Sequence, residues 1–328
     1  MSSLCFWNWE MKMDLVGISV SKESQQNTVT QDSDKSNLLC VLLDLSPNLF
    51  DRLDKFVPSQ SAKSVDLIEA DALETFLLQL ITFLHVFLLS NFANRLVIIV
   101  YNEYNIHVVY EDKGLNTLSD PSNSASFLLT EERQERLTRL DSEFLKNVAS
   151  FIESYPYNSC EENGTLLSAS LSFALCYLHR RILSERYEAR ILCLHASSDV
   201  PKQYIGVMNS IFCAQRWSIL IDVCNLHEEE SSLLQQAAHL TGGIYFKPKQ
   251  SEAIPLSNYL CSLYFPSRDA RKYLKIPVLN SVDCSALCFE SGEKIHMGYI
   301  CSVCLATFGR KRLSCNICGA EFAENDKS

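Results

Sequence analysis

Polar and apolar positions change their period several times along this chain, and each change marks an element. Residues 38–44, LLCVLLD, form a continuous apolar run closed by Asp44. A strand covered on both faces, as in a parallel sheet, has that composition, whereas a half-exposed strand alternates. A long apolar helix is expected from about Asp66 to Asn91. RLVIIVY (95–101) and IHVVYE (106–111) then read as two strands separated by a polar turn at Asn102–Asn105. Residues 112–130 are polar, contain Asp120-Pro121, and are expected to form a loop.

From there helix and strand alternate. Glu131 to Glu153 is one expected helix and Thr165 to Ser184 another, with Thr165 able to cap it. Leu167, Leu171, Leu175 and Leu178 recur in it at helical spacing. RILCLHA (190–196) reads as a strand, Lys202 to Arg216 as a helix, and WSILIDVC (217–224) as a central strand. Glu228, Glu229 and Glu230 stand where a helix N-terminus favours negative charge, and Gly242 and Gly243 end that helix. A short strand (244–248) and a helix from about Glu252 to Tyr264 complete the series. The pattern predicts an α/β fold: a doubly wound, open, mostly parallel sheet with helices on both faces. It divides the chain into a flexible arm (1–36), a sheet domain (37–266), a linker (267–283) and a small cysteine-bearing module (284–328).

Composition narrows the class. A chain of 328 residues, 47% hydrophobic, can bury a sizeable core and has room for about two domains. Its net charge of −10 argues against sequence-independent nucleic-acid binding over the whole surface, which depends on clustered Lys and Arg. The apolar stretch from Phe76 to Leu89 is interrupted by Gln79, Thr82 and His85 and falls short of the about 20 residues a membrane span needs, so a core helix is expected. The opening MSSLCFWNWEMKMD lacks the basic, then apolar, order of an export signal. With no export expected, the fourteen cysteines suit a reducing compartment, cytosol or nucleus.

The densest chemistry is at the C-terminal end. Cys301-Ser-Val-Cys304 and Cys315-Asn-Ile-Cys318 are two CxxC turns with ten residues between them. Two such turns let four thiolates converge tetrahedrally on one Zn²⁺ and leave no open coordination position, so a structural site is expected. Gly319 follows the second turn, where a positive φ would suit glycine. Cys284, Cys288 and His296 offer three further candidate ligands, one short of a second zinc site. Asp44-Leu-Ser46-Pro-Asn48 resembles the DxSxS loop with which von Willebrand factor A domains hold Mg²⁺ at the carboxyl end of the sheet, with Thr165 and Asp199 placed to complete it. Asn48 in place of the second Ser breaks the pattern, and the loop is expected to be structural. Asp222, within a buried strand, reads as a structural hydrogen-bonding group rather than a base. His85 reads as a hydrogen-bonded core residue and His239 as solvated. Arg310-Lys311-Arg312 could touch phosphate, but three loop cations are ordinarily just solvated. No glycine-rich phosphate loop, HExxH, GxSxG or kinase motif set occurs, and no catalytic or cofactor-binding constellation assembles.

LLSASLSFALCYLHRR (166–181), SILIDVCNL (218–226), SSLLQQAAHLTGGIYFKP (231–248) and HMGYICSVCLATF (296–308) closely resemble the general transcription factor IIH subunit 3 family, the smaller von Willebrand factor A-type subunits of the TFIIH core. The resemblance spans about residues 36–322. It implies a von Willebrand factor A-like domain with a zinc-binding module and no catalysis. It also implies a nuclear scaffold in RNA polymerase II transcription initiation and nucleotide excision repair. Its partners would be other TFIIH core subunits, chiefly the larger A-domain subunit through that partner's C-terminal zinc-binding region. Neither a small-molecule substrate, nor a membrane, nor direct nucleic-acid contact is implied. The family's zinc ligands map onto Cys301, Cys304, Cys315 and Cys318. Two departures stand out: Cys288-Phe289-Glu290-Ser291 replaces a Cys-Phe-Cys-His-like stretch, and GAEFAENDKS stands where members often carry a basic tail, so no tail-borne DNA contact is expected. Two alternatives compete with the scaffold. A zinc-ribbon nucleic-acid binder would need a basic stripe, and a RING-type ubiquitin-transfer enzyme would need eight interleaved ligands.

Overall fold

The computed structural model describes residues 36–53, 65–112, 125–154, 164–184, 187–248, 254–276, 282, 285–304 and 306–322. Residues 1–35 of the arm, Cys284, the polar stretch 113–124 and most of 277–284 lie outside the described residues, and Ser36, expected in the arm, opens the first strand. A six-stranded sheet runs in the order β3-β2-β1-β4-β5-β6. Its strands are β1 (Ser36–Asp44), β2 (Arg95–Tyr101), β3 (Ile106–Glu111), β4 (Tyr187–His195), β5 (Leu220–Asn225) and β6 (Tyr245–Phe246). All neighbours pair in parallel except β3, which returns antiparallel to β2 at one edge. Central β1 is buried along seven consecutive positions, Leu38 to Asp44, because both of its faces are covered. The continuous apolar run is therefore the mark of its place in the sheet.

Helices cover both faces. Against one face α1 (Pro47–Leu53), α2 (Val65–Ser90) and α3 (Ala125–Ser154) bury Leu49, Phe83, Phe87 and Phe144 with the β1 residues Leu39, Val41 and Leu43. The same layer includes Leu256 and Tyr264 from α7 (Leu256–Tyr259) and the wider π-helical turn that extends it (Leu260–Tyr264). On α4 (Leu167–Ser184), α5 (Tyr204–Arg216) and α6 (Ser232–Thr241) the buried positions include Leu171, Leu175, Leu178, Val207, Ile211 and Leu234. This is the expected von Willebrand factor A-like arrangement, a mixed, mostly parallel sheet between helices.

Several local expectations shift. Helix α1 follows directly from Ser46-Pro47, where proline's fixed φ suits a first helical turn, and is an element beyond those the sequence pattern predicts. Helix α3 starts at Ala125, so the end of the expected polar loop is helical. Helix α6 is capped by Ser231, whose side chain accepts from the Leu234 amide, and ends on Gly242 at φ 76°. The three glutamates lie before its first turn rather than in it. Residues 268–271 form a short helix, α8 (Arg268–Arg271), inside the stretch expected to be a linker. Arg271 reaches both oxygens of Asp222 at 2.7 and 2.6 Å, and the Ile244 amide donates to Asp222 Oδ1 at 2.8 Å. Asp222 is thus a buried structural tie. His85 is hydrogen-bonded to Asp141 at 2.7 Å, though at the helix surface rather than in the core, and His239 is exposed.

The chain resolves into two compact units. The larger holds Lys35–Val200 and Gly206–Val282, and the smaller gathers Pro201–Ile205 with Asp283–Ser328. In the smaller unit β7 (Ala286–Leu287) pairs with β8 (Lys294–Ile295), and β9 (Tyr299–Ile300) with β10 (Thr307–Phe308), both antiparallel.

Candidate metal centre

The β9–β10 hairpin carries the first CxxC turn, and an isolated bridge between Ser314 and Glu321 frames the second. Each turn is closed by its own backbone: the Cys301 amide donates to Ala306 O at 2.9 Å and the Cys315 amide to Ala320 O at 2.8 Å. Gly319 takes φ 72°, the left-handed conformation anticipated for it, and its amide donates to Cys315 O. The two turns bring Cys301, Cys304, Cys315 and Cys318 together with all four Sγ atoms within 4.8 Å of one another. Cys301 Sγ lies 3.6 Å from Cys318 Sγ, and Cys304 Sγ lies 3.6 Å from Cys315 Sγ. A tetrahedral ion with metal–sulfur bonds of about 2.3 Å requires sulfurs about 3.8 Å apart, so the four thiols fit a Zn²⁺-sized site.

The electrostatics point the same way. Burial works to raise the Cys315 thiol, but the amides of Cys318 and Ile317 and the neighbouring thiols outweigh it and bring the group to about 7. Cys304 moves oppositely: burial and the adjacent thiols push it up to about 12, because a second anionic sulfur beside the first is resisted. A cation held by these four residues would remove that resistance and let all four ionise. Among the described residues, the apolar cluster around the sulfurs joins Ala306 and Phe308 to Cys301 and Cys315, with Ile205, Ala320 and Phe322 packed against them.

The turn at Cys288 is built on the same plan with one sulfur missing. The Gly292 amide donates to Cys288 O at 2.8 Å with Gly292 at φ 70°, matching Gly319 on Cys315. Ser291 stands where the second knuckle has Cys318. Burial raises the Cys288 thiol, but the Ser291 hydroxyl and the amides of Ser291, Gly309 and Glu290 bring it down to about 7. His296 Nδ1 is engaged with the Ser285 hydroxyl at 3.0 Å. Among the described residues only the four-cysteine group gathers three or more potential His, Cys, Asp or Glu ligands.

At the carboxyl end of the sheet the Asp44 carboxylate is fully engaged by protein donors. Its Oδ1 accepts from the Ser46 amide at 3.0 Å, and its Oδ2 from the Ser197 hydroxyl at 2.7 Å and the Ala196 amide at 3.1 Å. His195 Nδ1 lies 3.2 Å from Oδ2 and 2.9 Å from the Tyr101 hydroxyl. Burial alone would raise Asp44, yet hydrogen bonding and charge from His195, with Ser197 and Ala196, hold it below the usual carboxylate range. Asn48 is exposed on α1, while Asp199 spends both oxygens on α6, accepting from the Ser231 and Ser232 hydroxyls and the Leu233 amide. Asp199 therefore adds negative charge at that helix N-terminus beside the preceding glutamates, of which Glu230 accepts from Gln235 Nε2 at 3.2 Å. Thr165 is buried. Sequence reasoning singled out Asp44, Ser46 and Asp199 but passed over His195 and Ser197. The signal available was their place at the end of a strand that, once seen to flank β1, must face Asp44.

Comparison with known proteins agrees with the geometry. The family described as Transcription factor Tfb4 matches residues 36–319. The general transcription and DNA repair factor IIH subunit TFB4 of Arabidopsis thaliana is 34% identical over 303 residues, covering 90% of this chain and 92% of its own length. The corresponding subunit of Schizosaccharomyces pombe is 31% identical, over 92% of this chain and 94% of its own. Among solved structures, the TFIIH p34 N-terminal domain superposes with a TM-score of 0.54 at 20% identity, covering 71% of this chain and 99% of that domain.

Proposed function

Because this chain belongs to the Tfb4 family of transcription factors, we propose that it is a non-enzymatic, nuclear scaffold subunit of the TFIIH core, serving RNA polymerase II transcription initiation and nucleotide excision repair. The observation that carries the reading is the pairing, in one chain, of a von Willebrand factor A-like sheet domain with a four-cysteine module, matched along nearly its whole length by relatives named as TFIIH subunits.

Cys301, Cys304, Cys315 and Cys318 would hold one Zn²⁺. Bound there, the ion would supply cross-linking and charge neutralisation rather than reactivity, since four protein ligands fill a tetrahedron. The hydrogen-bonded Asp44 loop supports a site that works without Mg²⁺. The sheet domain is the better candidate for the main contact with the larger A-domain subunit, through that partner's C-terminal zinc-binding region. An obligate interface buries upward of roughly 2,000 Å², and a module of this size has little such surface to offer.

The test is affinity purification of the tagged full-length chain from nuclear extract, read by mass spectrometry. TFIIH core subunits should co-purify in near-stoichiometric amounts. Recovery of the chain without them would defeat the assignment.

A further inference from the structure

The two helices α4 and α5 carry an imbalance that the fold does not require. The chain has 39 acidic residues among 328, yet the 18 residues of α4 and the 13 of α5 contain none. Their charge is basic instead, from Arg180, Arg181 and Arg216. The helices run side by side. Ser172 and Ser210 share a hydrogen bond at 3.0 Å, and the His179 ring stacks on Trp217 with centroids 3.9 Å apart and planes 10° from parallel. A β-carbon at Gly206 would come within 2.1 Å of the Ser168 Oγ, so glycine sets the close approach at the other end.

What faces outward from this pair includes Phe173, Cys176, Leu183 and the two arginines Arg180 and Arg216, among the uncharged polar Ser172, Asn209 and Gln215, with no carboxylate from either helix. Phe173, Cys176, Arg180 and Leu183 follow one another at i, i+3, i+7 and i+10, one helical face. Phe173 is 44% exposed and Leu183 75% exposed, although both are large and apolar. Arg180 is exposed on that same face, and Arg216 is exposed at the end of α5. Solvated helix faces are usually mixed in charge, and aromatic and aliphatic side chains flanked by arginines instead suit a partner that is apolar at its centre and anionic at its rim.

We propose that the outer face of α4, with Arg216 and Trp217 at the end of α5, docks an acidic amphipathic helix of a partner subunit. The apolar stripe of that helix would lie over Phe173 and Leu183, and its carboxylates would meet Arg180 and Arg216. This rests on the scaffold reading and adds to it the face used and the chemistry of what it receives. Charge selects the occupant. A second copy of the same face would bring arginine against arginine, and a nucleic acid would leave Phe173 and Leu183 against phosphates.

The experiment uses the full-length chain assembled with purified TFIIH core subunits, with a photoreactive phenylalanine analogue at position 173 and, separately, the double variant R180E/R216E. The cross-linked peptide, identified by mass spectrometry, should come from a segment with glutamates or aspartates flanking apolar positions. The charge reversal should lower partner capture at least tenfold and make the residual binding less salt-sensitive, with circular dichroism and thermal midpoint unchanged. Reversing the cross-linked carboxylates to lysine should restore capture. Undiminished capture by R180E/R216E, or a cross-link to nucleic acid or to a basic segment, would overturn the docking site while leaving the scaffold role standing. A wild-type chain that captures no core subunit would overturn the scaffold reading and this one with it. Phe173→Ser, which leaves the charge alone, should weaken capture without altering its salt dependence.

Discussion

The sheet domain and the cysteine module hold themselves together by opposite means. In the sheet domain a buried strand such as β1 is covered over seven successive residues, and two buried carboxylates are answered by protein partners: Asp44 by Ser46, Ala196, Ser197 and His195, Asp222 by Arg271 and the Ile244 amide. The module has strands of two residues and a core of a few side chains gathered round four sulfurs. Hydrophobic burial grows with chain length faster than surface does, so a segment of about forty residues seldom stabilises itself without a metal or disulfides. The difference places the expected dependence on a metal in one region only. It also says where each region breaks.

The widest separation is expected on removing the metal. Structural zinc contributes about 10–16 kcal/mol to folding in small zinc modules, more than the core of this one can replace. Cys304→Ser, or stripping the ion with a strong chelator, should unfold the module and leave the sheet. Hydrogen exchange read by mass spectrometry checks this. Amides within 299–322 should lose protection, while those of β1, β4 and β5 should keep it. Metal analysis of the untreated protein should give one zinc per chain. A zinc content of zero, or a collapse of sheet protection along with the module, would erase the contrast.

A second test moves the boundary between the regions. Arg271 is 7% exposed and Asp222 1% exposed at the side chain, so α8 is fastened to the sheet domain by a buried ion pair. Removing one partner of such a pair costs about 3–5 kcal/mol, because the other charge is left buried and uncompensated. Arg271→Ala should therefore lower the thermal midpoint of the sheet domain and leave zinc content untouched. An unchanged midpoint would return residues 268–271 to the linker.

How much of this was legible beforehand follows from the same contrast. The strand runs, the helix spacing and Gly242 were readable because buried parallel strands and helix ends have local signatures. The CxxC turns were equally local, and Gly319 adopts the conformation anticipated for it. What escaped was non-local. Arg271 sits in a stretch that reads as linker, and nothing in its neighbours announces a carboxylate 49 positions away in sequence. The partnership of Asp44 with His195 and Ser197 needs the strand order first, since β1 and β4 are far apart in sequence and adjacent in the sheet. The likeness of the Cys288 turn to the Cys315 knuckle was hidden too, because Ser291 interrupts the repeat of cysteines that would have advertised it.

The smallest expected effect lies at the carboxyl end of the sheet, where the comparison can be sharpened inside the larger domain. If protein donors do at Asp44 what a metal does in the module, acid should weaken this end, and divalent cations should do nothing. Asp44 is held below its ordinary value, so the folded state keeps the carboxylate ionised at pH values where the unfolded chain is protonated. Its stabilisation is complete above the unfolded value of about 3.9 and is lost as pH falls through the lower folded one. Asp44→Asn removes the charge while keeping one acceptor for the Ser46, Ala196 and Ser197 donors. The cost should be about 1–3 kcal/mol, the range for leaving buried donors short of a partner. Urea unfolding followed across acid pH gives the decisive measurement. The wild-type midpoint should fall more steeply than that of Asp44→Asn, and both curves should superpose with and without millimolar Mg²⁺. Parallel pH slopes would mean that Asp44 contributes nothing through its charge. A Mg²⁺-dependent rise in the wild-type midpoint, absent from the variant, would mean that this end of the sheet holds a cation after all.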